Sequence, residues 1–483
     1  MTAPTLDYSS TKYNYDSTNC YKDKIRLFIF ICSLLCSFVI IYWYTTRIDE
    51  EHDESMKNYT MPWFRIPRKN QKKVGIYQVA DSGFGIHFIP YNDEFIPADW
   101  SKEEYQYLPC MSKECLCPFF MGKWINESCI VGPGVELKRA HRQEIRTLSD
   151  EKFKRWTKML NELKATGKYT RMARHHKYSG VHSGPAFLLW HREFIKRCEI
   201  IFRKHMPIED VNMGIPYWDS SLDWPLPTPS DSVFFSDIFV GEVDDEGLVK
   251  NGPFHNWTSI EGRPQILRQF NKSKDGELLN DARIKWLINN PDFNMIYGAS
   301  MPIENCSITL PNDPRMFEHS HNYVHFYVNG DMSRGYSASN DIIFYLHHSM
   351  IDWILEHWRQ NMQTREERES AYPASDPYCF PKWHFADNPM PMLQPFMNKD
   401  ALSNGYADEI FEYTERPSCS RDNADCGSKY LFCFTPVSFQ ETPYCVSKVK
   451  LGGNCTGFEE YPICHEAKCL KNPDNENWSK CQN

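Results

Sequence analysis

The sequence lacks several features that would each assign it to a class of protein. It contains no repeat of solenoid or propeller length, which argues against a repeat array. Its 23 glycines and 31 prolines among 483 residues are too few for low-complexity disorder. It has no surplus of basic residues, since 54 Lys and Arg against 63 Asp and Glu give a net charge of -9. Because phosphate binding needs a basic face, nucleic acid is not the expected partner.

Long apolar runs are also absent, with one exception near the N-terminus. Residues 27–44 contain no charged side chain and would form a helix about 27 Å long, close to the thickness of a bilayer core. Basic residues precede this run, aromatic residues form its C-terminal end, and acidic residues follow it. We therefore predict a transmembrane signal anchor at 27–44, a cytoplasmic tail at 1–26, and a single-pass type II membrane protein with a luminal or extracellular body. The alternative is secretion after signal cleavage, although no small-x-small cleavage site follows the run.

Two counts agree that the body of the protein is exported. Seven N-linked glycosylation sequons follow the apolar run, at Asn58, Asn126, Asn256, Asn271, Asn305, Asn454 and Asn477. Twelve cysteines form two groups with even counts, Cys110, Cys115, Cys117 and Cys129 and then Cys419, Cys426, Cys433, Cys445, Cys455, Cys464, Cys469 and Cys481. Such groups indicate disulfides formed in an oxidising compartment, and zinc binding is the alternative. Cys306 and Cys379 could form a further pair, whereas Cys198 is predicted to be a buried free thiol.

The spacing of apolar residues predicts a mainly α fold. Helices are expected from Ser149 to Gly167 and over 185–204, 316–327 and 340–360, with long loops over 205–315. The predicted architecture is an antiparallel four-helix-bundle core with long loops, small disulfide-rich modules and one N-terminal transmembrane helix. The predicted divisions after the anchor are a stem (45–105), an N-terminal cysteine module (106–133), a helical domain (134–416) and a cysteine-rich C-terminal module (417–483).

Histidines form two groups of three within the predicted helical domain. The first group is His176, His182 and His191, and the second is His321, His325 and His348. His321 and His325 are four residues apart, so both rings project from one face of a helix. Two such trios facing each other across a bundle would form a dinuclear metal site. Six neutral nitrogens without a carboxylate favour two copper ions, with zinc as the second choice.

Several segments resemble the tyrosinases and their type 3 copper relatives. Residues 182–199 (HSGPAFLLWHREFIKRCE) resemble the copper-A signature, and residues 341–352 (DIIFYLHHSMID) resemble the copper-B signature. IPYWD at 215–219 and HNYVH at 321–325 resemble two segments that lie between these signatures in the family. The stretches DCGSKYLFC and CVSKVKLGGNC resemble the cysteine-rich tail of invertebrate tyrosinases.

The resemblance implies roles for individual residues. It assigns His176, His182 and His191 to copper A and His321, His325 and His348 to copper B, with His175 as an alternative to His176. His347 is expected to pack or to line an entry channel. Asn322 would position a neighbouring group or a phenol-activating water, and Arg192 would pair with Asp352 inside the bundle. The sequence departs from the family pattern at Ile342 (for Pro), Asn329 (for Gly) and Gly180, which is not the Cys that forms a His–Cys thioether in some relatives.

The resemblance also implies an activity. The expected enzyme is a copper-dependent monophenol and o-diphenol oxidoreductase that uses O2 to hydroxylate phenols and to oxidise catechols to o-quinones. Its substrates would be small phenols such as tyrosine or DOPA, or tyrosyl residues of proteins, in pigment formation or quinone tanning. The alternatives are a catechol oxidase only, a haemocyanin-like oxygen carrier, or a structural cysteine-rich protein with a disabled site.

Overall fold

The computed structural model describes residues 76–80, 86–90, 100–303, 306, 313–438, 441–472 and 475–483. Their α-helices are α1 (Lys102–Tyr107), α2 (Lys113–Leu116), α3 (Asp150–Ala165), α4 (Lys168–Ser179), α5 (Ala186–His205), α6 (Asp281–Ile288), α7 (Phe293–Tyr297), α8 (Phe317–Val328), α9 (Ile342–Met362) and α10 (Arg365–Ser370). Their strands are β1 (Ile76–Ala80), β2 (Ile86–Pro90), β3 (Lys123–Ile125), β4 (Ser128–Val131), β5 (Val135–Glu136), β6 (Ala140–Arg142), β7 (Phe411–Tyr413), β8 (Leu431–Phe434), β9 (Tyr444–Ser447), β10 (Lys468–Asn472) and β11 (Asn475–Gln482).

The predicted anchor at 27–44 and the tail before it lie outside the described residues. In the part of the chain that is described, no helix combines the length and the apolar character that crossing a membrane requires. The type II topology and the domain boundaries therefore stay predictions. The predicted stem contains an antiparallel hairpin, in which β1 pairs with β2.

The helical core is confirmed, and the four predicted helices correspond to α3, α5, α8 and α9. The Ser149 hydroxyl accepts a hydrogen bond from the backbone of Lys152 and caps α3, as expected for an N-cap serine. Gly167 follows α3 with a φ of 77°, a left-handed conformation that glycine adopts without strain. The long helices α5 and α9 bury nearly all of their side chains, which places them at the centre of the core.

Helix α4 is not among the predicted helices, although it carries part of the first histidine trio. Its sequence, KYTRMARHHKYS, is rich in cationic residues and has few aliphatic ones, so its periodicity is weak. Packing of its polar and aromatic residues against the core holds it in place, and the Tyr169 ring lies 4.3 Å from the Trp257 ring. The predicted bundle therefore lacked one of the helices that carry the site.

The first cysteine group forms two disulfides, Cys110–Cys115 and Cys117–Cys129. Strands β3, β4 and β5 form a three-stranded antiparallel sheet beside them. Trp100, which the sequence analysis assigned to the stem, is buried and packs on the His175 ring at a centroid distance of 3.9 Å. Later in the chain, β6 pairs in parallel with β7 and so joins the two ends of the predicted helical domain.

The second cysteine group forms four disulfides, which are Cys419–Cys433, Cys426–Cys445, Cys455–Cys469 and Cys464–Cys481. The module also contains regular structure that the sequence analysis does not predict, because β8 with β9 and β10 with β11 form two antiparallel hairpins. The disulfide-rich character of the module is confirmed. The module contacts the helical core through a Lys429–Asp150 ion pair and through the Tyr430 ring, which lies 4.8 Å from that of Phe239.

The remaining cysteine predictions are also confirmed. Cys306 and Cys379 are joined, and Cys198 is a buried free thiol on α5. The fully paired cysteine groups exclude the zinc alternative, since a disulfide sulfur is not a thiolate ligand. Among the predicted glycosylation sequons, Asn126, Asn256 and Asn271 are exposed and therefore accessible to a glycan.

Candidate metal centre

The structure gathers the six predicted histidines into two groups of three. His176 lies in the last turn of α4, His182 lies on the loop that joins α4 to α5, and His191 lies on α5. The second group comprises His321 and His325 on α8 and His348 on α9. In each group one nitrogen per ring lies within 4.8 Å of the corresponding nitrogens of the other two rings. Each trio therefore converges on one point.

The two trios lie directly against each other. The rings of His191 and His348 are stacked, with centroids 4.3 Å apart and an angle of 8° between their planes. The centroids of His191 and His321 are 6.4 Å apart. The two three-nitrogen sites are therefore adjacent.

Hydrogen bonds to backbone carbonyls orient the rings of His191 and His325. The Nδ1 of His191 lies 2.9 Å from the carbonyl oxygen of Phe187, and the Nδ1 of His325 lies 2.6 Å from that of Met332. Because a carbonyl only accepts, each Nδ1 must carry the proton, and each Nε2 keeps its lone pair. This is the tautomer that a metal ion requires at Nε2.

Asn322 gives the His321 ring the same orientation through a side chain. The Nδ1 of His321 lies 2.9 Å from the Oδ1 of Asn322, which accepts its proton and leaves Nε2 unprotonated, 3.2 Å from the Nε2 of His348 in the same trio. The neighbouring His347 stacks on His321 with an angle of 18° between the rings, and its Nε2 lies 3.2 Å from the backbone oxygen of His321. His347 is therefore a buried packing residue, as one of the two predicted alternatives had it.

Burial keeps these imidazoles neutral. Five of the six rings are buried, and that of His182 is half-buried. Burial lowers the pKa of His182 and of His325 to about 4, and the proximity of His325 contributes to the lowering at His182. The pKa values of His176, His191 and His348 are lowered well below their usual range by the same burial. All six rings are therefore available as neutral ligands at neutral pH.

The unsatisfied nitrogens of the site fit metal ions. A buried ring nitrogen in each of four of these histidines has no hydrogen-bond partner among the described residues, namely in His176, His191, His325 and His348. An unpaired buried polar atom costs about 1–3 kcal/mol, so an apo site of this kind is unfavourable. Neutral imidazole nitrogens with no carboxylate among them suit copper, and two copper ions match the two trios.

His176, and not His175, takes part in the first trio. The His175 ring lies under Trp100, outside the group of three. Burial, together with the positive charge of Arg197, lowers its pKa to about 3. The two adjacent histidines of α4 therefore have different surroundings: His176 lies in the trio, and His175 packs against Trp100 in the core.

The ion pair expected inside the bundle is present. The Nε of Arg192 on α5 donates to Asp352 on α9 at 2.6 Å, and its terminal nitrogen donates to Glu356 at 2.7 Å. Asp352 lies one turn after His348 on the same helix, so this pair ties the helix of one trio to the helix of the other. All three side chains are buried.

The departures from the family pattern leave the local geometry intact. Ile342 is the first residue of α9, where proline is only a preference, and the Asp341 side chain caps this helix by accepting from the backbone of Ile343. Asn329, where relatives often have glycine, has a φ of 54° and a ψ of -160°, a backbone conformation that costs asparagine more than glycine, yet it still ends α8. Gly180 ends α4, and its amide donates to the carbonyl of His176.

Two residues near the first trio, Glu318 and His384, are not among the predicted site residues. Both are buried, and both hydrogen-bond to the loop that carries His182. Neither belongs to a recognisable motif, and neither is near His182 in sequence, so no sequence signal identifies them.

Comparisons with known proteins agree with this centre. The common central domain of tyrosinase matches residues 152–361. A tyrosinase-like protein of Caenorhabditis elegans is 38% identical over 379 residues, which are 77% of this chain and 52% of that protein. Tyrosinase-like protein 1 of Margaritifera margaritifera is 28% identical over 305 residues, covering 60% of this chain and 57% of that protein. The chain thus spans about half the length of these curated relatives.

Among solved structures, a polyphenol oxidase of Thermothelomyces thermophila is similar, with a TM-score of 0.44 and 16% sequence identity. The similarity covers 58% of this chain and 89% of that one. The matched central domain contains all six histidines of the two trios. Residues 152–361 of the chain therefore form the common central domain of the tyrosinase family of type 3 copper proteins, whose members hold two copper ions and bind O2.

Proposed function

We propose that this protein is a tyrosinase-like phenol oxidase, which uses O2 at a dicopper centre to hydroxylate monophenols and to oxidise o-diphenols to o-quinones. The observation that carries the proposal is the pair of adjoining histidine trios, each with its ring nitrogens within 4.8 Å of one another. Two ions held side by side can together deliver two electrons to one O2 molecule, which a single copper ion cannot do.

In this proposal His176, His182 and His191 bind copper A, and His321, His325 and His348 bind copper B. The bound ions would supply the redox chemistry with O2. The contribution of the chain is to present neutral nitrogens in a fixed direction and to keep water away. The backbone carbonyls of Phe187 and Met332 and the amide oxygen of Asn322 support this role, because each accepts the Nδ1 proton of one ring and leaves the Nε2 of that ring unprotonated.

Aromatic side chains favour a flat aromatic substrate. The Phe187 ring lies 4.6 Å from His321 and 4.9 Å from His191, so it flanks both trios on one side. Phe344 lies 4.3 Å from the His348 ring and 4.4 Å from that of His176. Both phenylalanines are buried, whereas His182 is half-buried, and we place the approach of the substrate on the His182 side.

The proposal extends to the setting of the enzyme. Seven disulfides among the described residues support formation in an oxidising, exported compartment. We propose that residues 27–44 anchor the protein in a membrane, with secretion after cleavage as the alternative, and that exposed sequons carry N-linked glycans. Quinone products would serve pigment formation or the tanning of proteins through their tyrosyl residues.

Oxygen uptake by the copper-loaded full-length protein tests the proposal. We expect uptake with both tyrosine and DOPA, and quinone absorbance that appears with it. His348→Asn should abolish uptake, whereas His357→Asn should not. His357 is a matched control because it lies on the same helix with its Nδ1 bonded to the Trp353 carbonyl, outside both trios.

Each result has a clear meaning. Uptake with DOPA alone would identify a catechol oxidase. Reversible oxygen binding without quinone would identify a carrier. No oxygen consumption or binding by protein that contains two copper ions would overturn the proposal.

A further inference from the structure

His182 differs from the other five proposed ligands because it lies on a loop. The other five rings project from α4, α5, α8 and α9, whose backbone hydrogen bonds fix their positions. The loop between α4 and α5, residues 180–185, carries His182 on its more exposed side. A ligand on a short irregular segment needs support from outside that segment if its ring is to stay in place.

The loop itself offers little of that support. Ser183 has a φ of 69°, a left-handed conformation that costs a residue with a side chain about 1 kcal/mol or more. Gly180 has no side chain that could hold the His182 ring, and an added Cβ there would lie 2.9 Å from the His176 ring. Contacts from elsewhere in the chain must therefore maintain the conformation of the loop.

The imidazole of His384 bonds to the loop and to Ala186, the first residue of α5. Its Nε2 lies 3.0 Å from the carbonyl oxygen of His182, and its Nδ1 accepts a hydrogen bond from the amide of Ala186 at 3.2 Å. The amide can only donate and the carbonyl can only accept, so the proton lies on Nε2. The ring also packs on Gly184, where an added Cβ would lie 2.9 Å from ring atoms.

Glu318 bonds to the loop from α8, the helix that carries His321 and His325 of the second trio. Its Oε1 accepts a hydrogen bond from the amide of Ser183 at 2.6 Å, and its Oε2 accepts one from the hydroxyl of Ser300 at 2.7 Å. Glu318 is in the first turn of α8, three residues before His321. It therefore fixes the strained residue next to His182 relative to the helix that carries two ligands of the second trio.

The segment that carries His384 is itself held firmly. The hydroxyl of Tyr372 donates to the carbonyl of His384 at 2.5 Å, and the side chain of Asn398 donates to the carbonyls of Trp383 and Phe385. Trp190 on α5 donates from its indole to the carbonyl of Pro391 at 3.1 Å. His384 is 1% exposed, so its bonds to the loop are shielded from water.

We propose that His384 and Glu318 are positioning residues that clamp the 180–185 loop and hold the His182 ring in the first trio. The inference rests on the proposed function, because it takes His182 to be a copper ligand. Residues that orient a metal ligand typically change metal affinity 10- to 100-fold when they are removed. Loss of the clamp should weaken the binding of one copper ion by this factor and leave the binding of the other unchanged.

Competition for copper tests the clamp. The full-length protein is loaded with copper alone, titrated with a chelator, and assayed for copper per chain, with thermal unfolding recorded in parallel. For His384→Ala and Glu318→Ala we expect one of the two ions to leave at a 10- to 100-fold lower chelator concentration. His384→Gln should restore wild-type retention, because the glutamine amide supplies one acceptor and one donor, as the neutral imidazole does. Glu318→Gln should also restore it, because the amide oxygen still accepts from the Ser183 amide and the Ser300 hydroxyl can turn to accept from the amide nitrogen.

His357→Ala is the matched control, and it should retain both ions as the wild type does. Wild-type retention of both ions by His384→Ala and Glu318→Ala would overturn the clamp while leaving the proposed function intact. If the alanine variants bound both copper ions equally weakly and the glutamine variants did not restore binding, the effect would be a general structural one. That result would also overturn the clamp. Failure of the wild type to bind two copper ions would instead contradict the proposed function. If one alanine variant does not fold, the other gives the same test.

Discussion

Asp352 is the position where a single change should most clearly expose the energetics of the core. It accepts hydrogen bonds from Arg192 at 2.6 Å, from Arg142 at 3.0 Å and from the Tyr413 hydroxyl at 2.7 Å. Its side chain is 4% exposed, and the two arginines are buried almost completely. Asp352→Asn keeps the shape of the side chain and removes its negative charge from between two guanidinium groups.

The expected loss of stability follows from these contacts. Removing one partner of a buried ion pair costs about 3–5 kcal/mol because the remaining charge is left uncompensated. Arg192 keeps its bond to Glu356, and Arg142 keeps its bond to Glu199 at 2.7 Å, so each cation retains one anion. We therefore expect the free energy of unfolding to fall by about 3 kcal/mol, the lower end of the range.

Denaturant unfolding of the copper-free protein with its disulfides intact measures this change. Glu162→Gln is the control, since Glu162 pairs with Lys158 at 3.9 Å on an exposed face of α3. Such surface pairs contribute less than about 1 kcal/mol. If Asp352→Asn were no more destabilising than Glu162→Gln, the role assigned to the buried network would be wrong.

Three further predictions concern a ligand support, the response to acid and a helix end. Asn322→Ala should weaken copper retention about 10- to 100-fold, because it removes the acceptor that orients His321, and a chelator titration would detect this. Acid should destabilise the copper-free protein, because burial lowers the pKa of His175 and His384 to about 3 while the unfolded chain takes up protons below about pH 6.5. Protonation of each of these histidines should then lower the free energy of unfolding by up to about 1.4 kcal/mol per pH unit between about pH 6.5 and pH 3. Denaturant unfolding at a series of pH values measures this change, and a free energy of unfolding that does not vary with pH would contradict the prediction. Gly167→Ala should lower the free energy of unfolding by about 1 kcal/mol, because the φ of 77° at this position is left-handed. Nothing lies close enough to clash with an added Cβ, so backbone strain is the expected cause. An unchanged unfolding midpoint would contradict this assignment.

The sequence predicted those parts of the fold in which local signals agree with tertiary packing. Helix α3 has a serine cap, an apolar stripe and a terminal glycine, and its bounds were close to those observed. Helices α5 and α9 were predicted from the spacing of their apolar residues, and both are observed. The paired cysteine groups followed from even counts in short stretches.

The missed parts depend on contacts between residues distant in sequence. Helix α4 has a polar sequence, and its stability comes from the surfaces it packs against, which periodicity does not report. The tail hairpins depend on disulfide pairing, which a cysteine count leaves open.

The same reasoning separates the predicted site residues from the missed ones. The histidine trios were predicted because motif spacing places them on known helix faces. Glu318 and His384 reach the His182 loop across 135 and 202 residues of chain, and only the folded structure brings them there.

The number of copper ions bound per folded chain tests the central claim most directly. We expect two ions in the wild-type protein, measured as metal content of the full-length chain after removal of loosely bound copper. His191→Asn and His348→Asn should each bind fewer. A folded wild-type chain that retains no copper, or variants that retain as much as the wild type, would contradict the account.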